Sequence, residues 1–244
     1  MDWSCGGGGM GASDDPSQAG RAAFYALHPG GWRDYVTLLH LPYTAWHLAY
    51  VVVGGCLAAS VSWGRLGLTV LAFALAMGVG AHALDELRGR PLRTRIPSSV
   101  LVGLAVSSVA IACAIGIAVA LETTLWIVPL VALGAALVPV YNLELLGGRV
   151  HTDLGFALAW GAFPLVTAFV AQTGTIRAEA VLAAAWAMLL SLGQRRLSTQ
   201  VRQARRETSV PGDALSLVAA PEAALKLLAA ATVALAAALV ALRL

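Results

Sequence analysis

Val79-Gly80-Ala81-His82-Ala83-Leu84-Asp85-Glu86-Leu87-Arg88-Gly89-Arg90-Pro91-Leu92-Arg93-Thr94-Arg95-Ile96-Pro97 is the stretch from which the rest of the chain can be read. It leaves a long apolar run, places one histidine and two carboxylates in that run's last turns, and continues into a proline-bounded loop with four arginines. Beyond Pro97 the chain turns apolar again. Of the 244 residues, 59% are hydrophobic and 12% charged, and the mean hydropathy is +0.77. A soluble domain carries about 25% charged residues, so the composition predicts an integral membrane protein.

Working outward, seven apolar segments run over approximately 42–62, 66–87, 98–120, 124–144, 153–173, 178–199 and 221–242, each bounded by charge, glycine or proline. They are far longer than barrel strands and do not alternate, so helices are the predicted spanning structure. The expected fold is all-α: a polytopic bundle of about seven transmembrane helices over 42–243. Residues 1–20 are rich in Gly, Ser and Asp and are expected to be disordered. They lack the basic and apolar regions of a leader, so none is expected to be cleaved. Residues 21–41 read as an interfacial amphipathic segment broken at Pro29-Gly30-Gly31.

The net charge of +3 rests on fifteen arginines and one lysine. Their distribution reads as membrane orientation and not as nucleic-acid binding. With the N-terminus cytoplasmic, thirteen of the sixteen lie inside and only Arg65, Arg177 and Arg243 outside. This predicts a bacterial inner (plasma) membrane protein with its polar loops on the cytoplasmic side. Cys5, Cys56 and Cys113 have no metal-ligand spacing and read as small apolar residues.

The chemistry gathers in three loops on that side. His82, Asp85 and Glu86 fall at i, i+3 and i+4 on one helix face, a spacing able to ligate a divalent cation. The same carboxylates could instead end a helix and pair with Arg88, Arg90 or Arg93. In the second loop, Asn142, Glu144, His151 and Asp153 form another polar cluster, although Thr152 or Asp153 could equally cap the next helix. The third loop carries Gln194, Arg195, Arg196, Ser198, Gln200, Arg202, Arg205 and Arg206. Guanidinium forks suit phosphate or diphosphate, and an anchor on anionic lipid head groups is the other reading. A transporter is disfavoured, because the span interiors hold few polar groups beyond His47. His40 and His47, at the start of the first span, are placed near the same face.

On these residues the chain resembles the UbiA superfamily of intramembrane prenyltransferases. The resemblance rests on Gly89-Arg90-Pro91-Leu92 after an acidic helix end, on Tyr141-Asn142 leading to Trp160-Gly161-Ala162-Phe163-Pro164 and Thr173-Gly174, and on polar loops after spans 2 and 6. In the family's first Asp-rich motif, His82 stands for the first Asp, Asp85 matches the second, and Gly89 stands for the third. The region of the second motif, Gln194 to Glu207, is basic. The resemblance implies binding of an isoprenoid diphosphate or lipid phosphate and transfer of the prenyl group to an acceptor. Under it, His82, Asp85 and Glu86 are the expected catalytic residues. Arg90, Arg93, Tyr141, Asn142, Gln194, Arg195, Arg196 and Arg202 are expected to bind substrate. His82, Asp85, Glu86, Glu144, His151 and Asp153 are expected to hold a divalent cation, Mg2+ in the family. Two alternatives stay open: a non-catalytic lipid-binding relative, and a seven-helix metal-dependent lipid hydrolase.

Overall fold

A computed structural model describes residues 23–207 and 211–244. The N-terminal stretch expected to be disordered lies outside the described residues. The chain is all-helical, with no strand among the described residues. Among the described residues eight helices follow in order, besides a short 3-10 turn at Leu146–Gly148: α1 Trp32–Leu38, α2 Leu41–Cys56, α3 Trp63–Leu87, α4 Ser98–Glu122, α5 Ile127–Asn142, α6 Asp153–Thr173, α7 Ala178–Glu207 and α8 Pro211–Arg243. Every predicted apolar segment holds one of them. Two contain π-helical turns, Ala74–Ala81 in α3 and Ala157–Ala162 in α6.

Not all of these helices are long and apolar enough to cross a bilayer. α3, α4, α6 and Leu217–Arg243 of α8 are, and a fifth span arises if α1 and α2, bent by 43°, count as one. α2 and α5 have 16 residues each, about 24 Å at 1.5 Å per residue, against a hydrocarbon core of about 30 Å. Their predicted segments were longer because Leu57, Ala58, Ala59, Val61, Leu125, Trp126 and Leu143 are apolar but lie where the chain turns or runs outside the helix. α7 is long enough, but its last turns carry the arginine cluster. Within the described part of the 21–41 segment, residues 23–41, the backbone bends at Gly30 (φ 126°) and Gly31 (φ 61°), and helix α1 follows that bend.

Small residues set the closest approaches. A Cβ on Gly54 of α2 would overlap the Leu165 carbonyl of α6. One on Gly161 would lie 2.6 Å from Ser191 Oγ and 2.8 Å from the Ala187 carbonyl of α7. Backbones that close gain dispersion contacts that lipid cannot supply. Trp46, Tyr50, Leu165 and Phe169 fill the core with no exposed surface. Leu121, Leu125, Leu182, Leu189 and Leu227 point outward, as lipid-facing residues do. Trp32 at one end of the bundle and Trp63 and Trp126 at the other are exposed, where aromatic anchors belong.

Candidate functional site

The ends of α3 and α5, the starts of α2, α4 and α6, and the arginine-rich part of α7 meet at one end of the bundle. His151 organises this end. Its Nδ1 lies 3.0 Å from the Tyr141 carbonyl and its Nε2 lies 3.0 Å from Arg195 Nη2. A guanidinium only donates, so Nε2 must accept and Nδ1–H must donate to the carbonyl. The imidazole also stacks on the Tyr141 ring, with centroids 4.5 Å apart. Arg195 lies over Phe156 at 5.6 Å, and its Nε is 3.5 Å from Asp153 Oδ1.

Three buried polar atoms here have no hydrogen-bond partner: Tyr141 Oη, Arg195 Nε and Gln194 Oε1. Gln194 Nε2 meets His47 Nε2 at 3.4 Å, and His47 Nδ1 lies 2.9 Å from the Trp160 carbonyl. Burying unpaired polar atoms costs about 1–3 kcal/mol each. Three such atoms at one end of the bundle leave donors and an acceptor there for a ligand or water to satisfy.

His82 lies across from this cluster. Its Nδ1 is 3.1 Å from the Gly78 carbonyl, which leaves Nε2 as an acceptor, and its ring stacks on His40 at 4.0 Å. Asp85 is half-buried, and the ionisable groups around it include His151, Arg202 and Arg195. Tyr25 comes in from the N-terminal segment and packs against His40, Tyr43 and Phe24. Burial, reinforced by Tyr43 and Asp85, holds its phenol well above the ordinary value, so it stays a hydroxyl.

Several predicted site residues do other work. Glu86 has no exposed surface and turns away from His82 and Asp85. Its carboxylate accepts from Leu92 N at 3.0 Å, and from Thr94 N and Thr94 Oγ1 at 2.8 Å each. It therefore folds the 89–97 loop. Arg90 closes the same loop, donating to the Ile96 carbonyl at 2.6 Å and to Ser98 Oγ at 3.0 Å. Glu144 pairs with Arg88 at 2.7 Å, and Arg88 also donates to the Leu143 carbonyl. Asn142 Nδ2 returns to the Val138 carbonyl of its own helix. Arg93 and Arg196 are exposed, and Arg202, also exposed, reaches Thr199 at 2.9 Å. The side chain of Arg206 lies outside the described residues. Thr152 caps α6, accepting from Gly155 N.

The expected cation set is not assembled. Among the described residues no three His, Cys, Asp or Glu side chains come together in a geometry that could hold a metal ion. Glu86, Glu144 and Asp153 face a loop amide, Arg88 and Arg195 respectively. The i, i+3, i+4 reading of His82, Asp85 and Glu86 fails at Glu86, because the buried loop donors draw that side chain off the shared face.

Tyr25 and Tyr43 join the site beside His40 without having been singled out for it. Nothing in their spacing marks them; they arrive because the N-terminal segment folds back over α3. Asp34 of α1 holds it there, accepting from Gly30 N and from Arg95 N of the 89–97 loop at 2.8 Å each. Comparison with protein-family models, curated proteins and solved structures finds no match for this chain.

Proposed function

We propose that the chain is a UbiA-like membrane protein that binds an isoprenoid diphosphate at the Arg195 end of the bundle and transfers its prenyl group to an acceptor. The observation that carries this reading is the pair of buried donors that no hydrogen bond satisfies, Tyr141 Oη and Arg195 Nε, the latter only loosely paired with Asp153 at 3.5 Å, with Arg202 nearby and an apolar interior beneath. A diphosphate supplies acceptor oxygens for both donors and negative charge for the guanidiniums. Its tail enters the helix bundle. In this reading seven helices cross a bacterial inner membrane, with the arginine-rich end cytoplasmic, as the thirteen-to-three distribution of basic residues favours.

Transfer breaks the bond between the prenyl carbon and the bridging oxygen. The diphosphate leaves with the electron pair, its charge stabilised by Arg195 and Arg202. The acceptor bonds to the carbon and gives up a proton, for which Asp85 and His82 Nε2 are the available bases. Of the four carboxylates expected to hold a metal ion, Glu86, Glu144 and Asp153 are engaged elsewhere and Asp85 is left for proton transfer. That same engagement favours a second reading, a relative that binds the amphiphile without transferring it.

The test is equilibrium binding of farnesyl diphosphate and of farnesol to the protein in nanodiscs. The diphosphate should bind more tightly than the alcohol, and Arg195→Ala should weaken it by roughly ten-fold or more, the loss of a charge-assisted bond. Equal affinity for the two ligands, or an unchanged Arg195→Ala, refutes the site. Release of inorganic diphosphate in the presence of a lipid extract as acceptor marks the transferase; binding without release marks the second reading.

A further inference from the structure

A second cavity lies away from the arginine end. α3, α4, α5 and α6 line a half-open crevice with a cavity volume of about 80 Å³, formed by Phe73, Cys113, Val131, Phe163 and other apolar side chains together with Thr167. Ile127 and Ala171 also line it, which places it in the half of the bundle towards Trp126 and Thr173, the ends opposite the site above.

Its one anomaly is Thr167. The residue is 8% exposed, and its hydroxyl, buried in the crevice wall, has no hydrogen-bond partner. Several other hydroxyls in the bundle bond the carbonyl four residues back: Thr69 to Arg65 at 2.7 Å, Ser107 to Gly103 at 2.7 Å, Thr173 to Phe169 at 2.9 Å and, on α8, Thr232 to Leu228 at 2.8 Å. Thr167 does not. Inside a bilayer no water relieves an idle donor, so the cost persists unless something else accepts. Phe73 and Phe163, with centroids 5.9 Å apart, line the crevice and offer ring surface to whatever enters.

We propose that this crevice binds an elongated, lipid-soluble molecule carrying a carbonyl group, whose oxygen accepts the hydrogen bond from Thr167 Oγ1. The apolar lining takes the hydrocarbon body, and the single polar contact selects a carbonyl compound over a plain alkane. This site does not depend on the diphosphate reading and can stand or fall separately.

The test uses two photoreactive probes, a long-chain ketone bearing a diazirine and the matched alkane bearing the same diazirine. Each is added to the protein in nanodiscs of diether lipid, which brings no competing carbonyl. After irradiation, adducts are mapped by mass spectrometry. Ketone adducts should concentrate on the segments holding Cys113 and Thr167, at roughly five-fold the alkane yield, the ratio expected of one net hydrogen bond. Thr167→Val, which keeps the volume, should erase that ratio, and Thr167→Ser should keep it. Equal ketone and alkane yields in the unaltered chain would overturn the proposal whatever the variants do. So would a Thr167→Val protein that melts normally and keeps the ratio, or adducts spread evenly over lipid-facing residues such as Val106 and Leu182.

Discussion

Replacing Glu86 separates two roles that its sequence position allows. As a metal ligand, its loss would weaken ligand binding and leave the 89–97 loop alone. As the buried acceptor of three hydrogen bonds, its loss must undo that loop. Glu86→Ala strands Leu92 N, Thr94 N and Thr94 Oγ1, all bonded at 2.8–3.0 Å to a carboxylate with no exposed surface. Bonds to a charged acceptor are worth about 1.5–3 kcal/mol each, but the loop lies at the end of the bundle, where water can reach freed amides. The net loss is therefore about 3–5 kcal/mol. Glu86→Gln keeps one carbonyl oxygen but turns an NH2 group towards a backbone N–H, so it should fall between the two. The assays are thermal unfolding in detergent and limited trypsin digestion. Arg93 and Arg95 are exposed on that loop, and both cleavage sites should open in Glu86→Ala well below its melting temperature. Wild-type melting and an uncut loop in Glu86→Ala, with only ligand affinity reduced, would refute the structural role.

Other substitutions test the surrounding arrangement. Asp34→Ala frees Gly30 N and Arg95 N together, so the N-terminal segment should become trypsin-sensitive at Arg33 and the protein should lose about 2–3 kcal/mol of stability in thermal unfolding. His151→Ala removes the imidazole beside Arg195; affinity for farnesyl diphosphate should fall less than in Arg195→Ala, and the double variant should match Arg195→Ala alone. Gly161→Leu puts a branched chain against the Ala187 carbonyl and should cost at least about 1–3 kcal/mol by overpacking, read as a lower detergent melting temperature. Glu222→Ala breaks the 2.7 Å pair with Arg205 that joins α7 to α8 and should destabilise by about 3 kcal/mol. Unchanged melting in that variant would show that the pair does not clasp the two helices.

Hydropathy located the helices because partition into lipid depends on composition summed over about 20 residues, and every apolar run did become a helix. It overreached at helix ends. Leu57, Ala58 and Val61 are as apolar as their helical neighbours, but the chain turns there, and nothing in a windowed average registers a turn. The meeting of the three polar loops at one end was legible from charge asymmetry. The partners within it were not. Glu144 pairs with Arg88, Arg195 with His151 and Glu86 with Thr94 through contacts that depend on the heights at which the helices end.

The two π-helical stretches re-aim the helices where they run into the polar end. A π turn inserts a residue into the helix and advances every later side chain by about 100° around the axis relative to an unbroken one. The first stretch ends at Ala81, one residue before His82, so the face carrying His82 and Asp85 is offset from the one the apolar part of α3 presents, while their i, i+3 spacing in the α-helical turn that follows is unchanged. The second, Ala157–Ala162, contains Trp160, whose carbonyl lies 2.9 Å from His47 Nδ1. His47 in turn meets Gln194, the neighbour of Arg195. Both irregular turns thus lead directly into side chains of the polar end, one on each side of it. Regular α-geometry in α3 and α6 would be the more stable choice for apolar helices in lipid. Its interruption at these two places supports a site there, because π turns occur mostly where a protein needs a side chain or carbonyl aimed off the regular ladder.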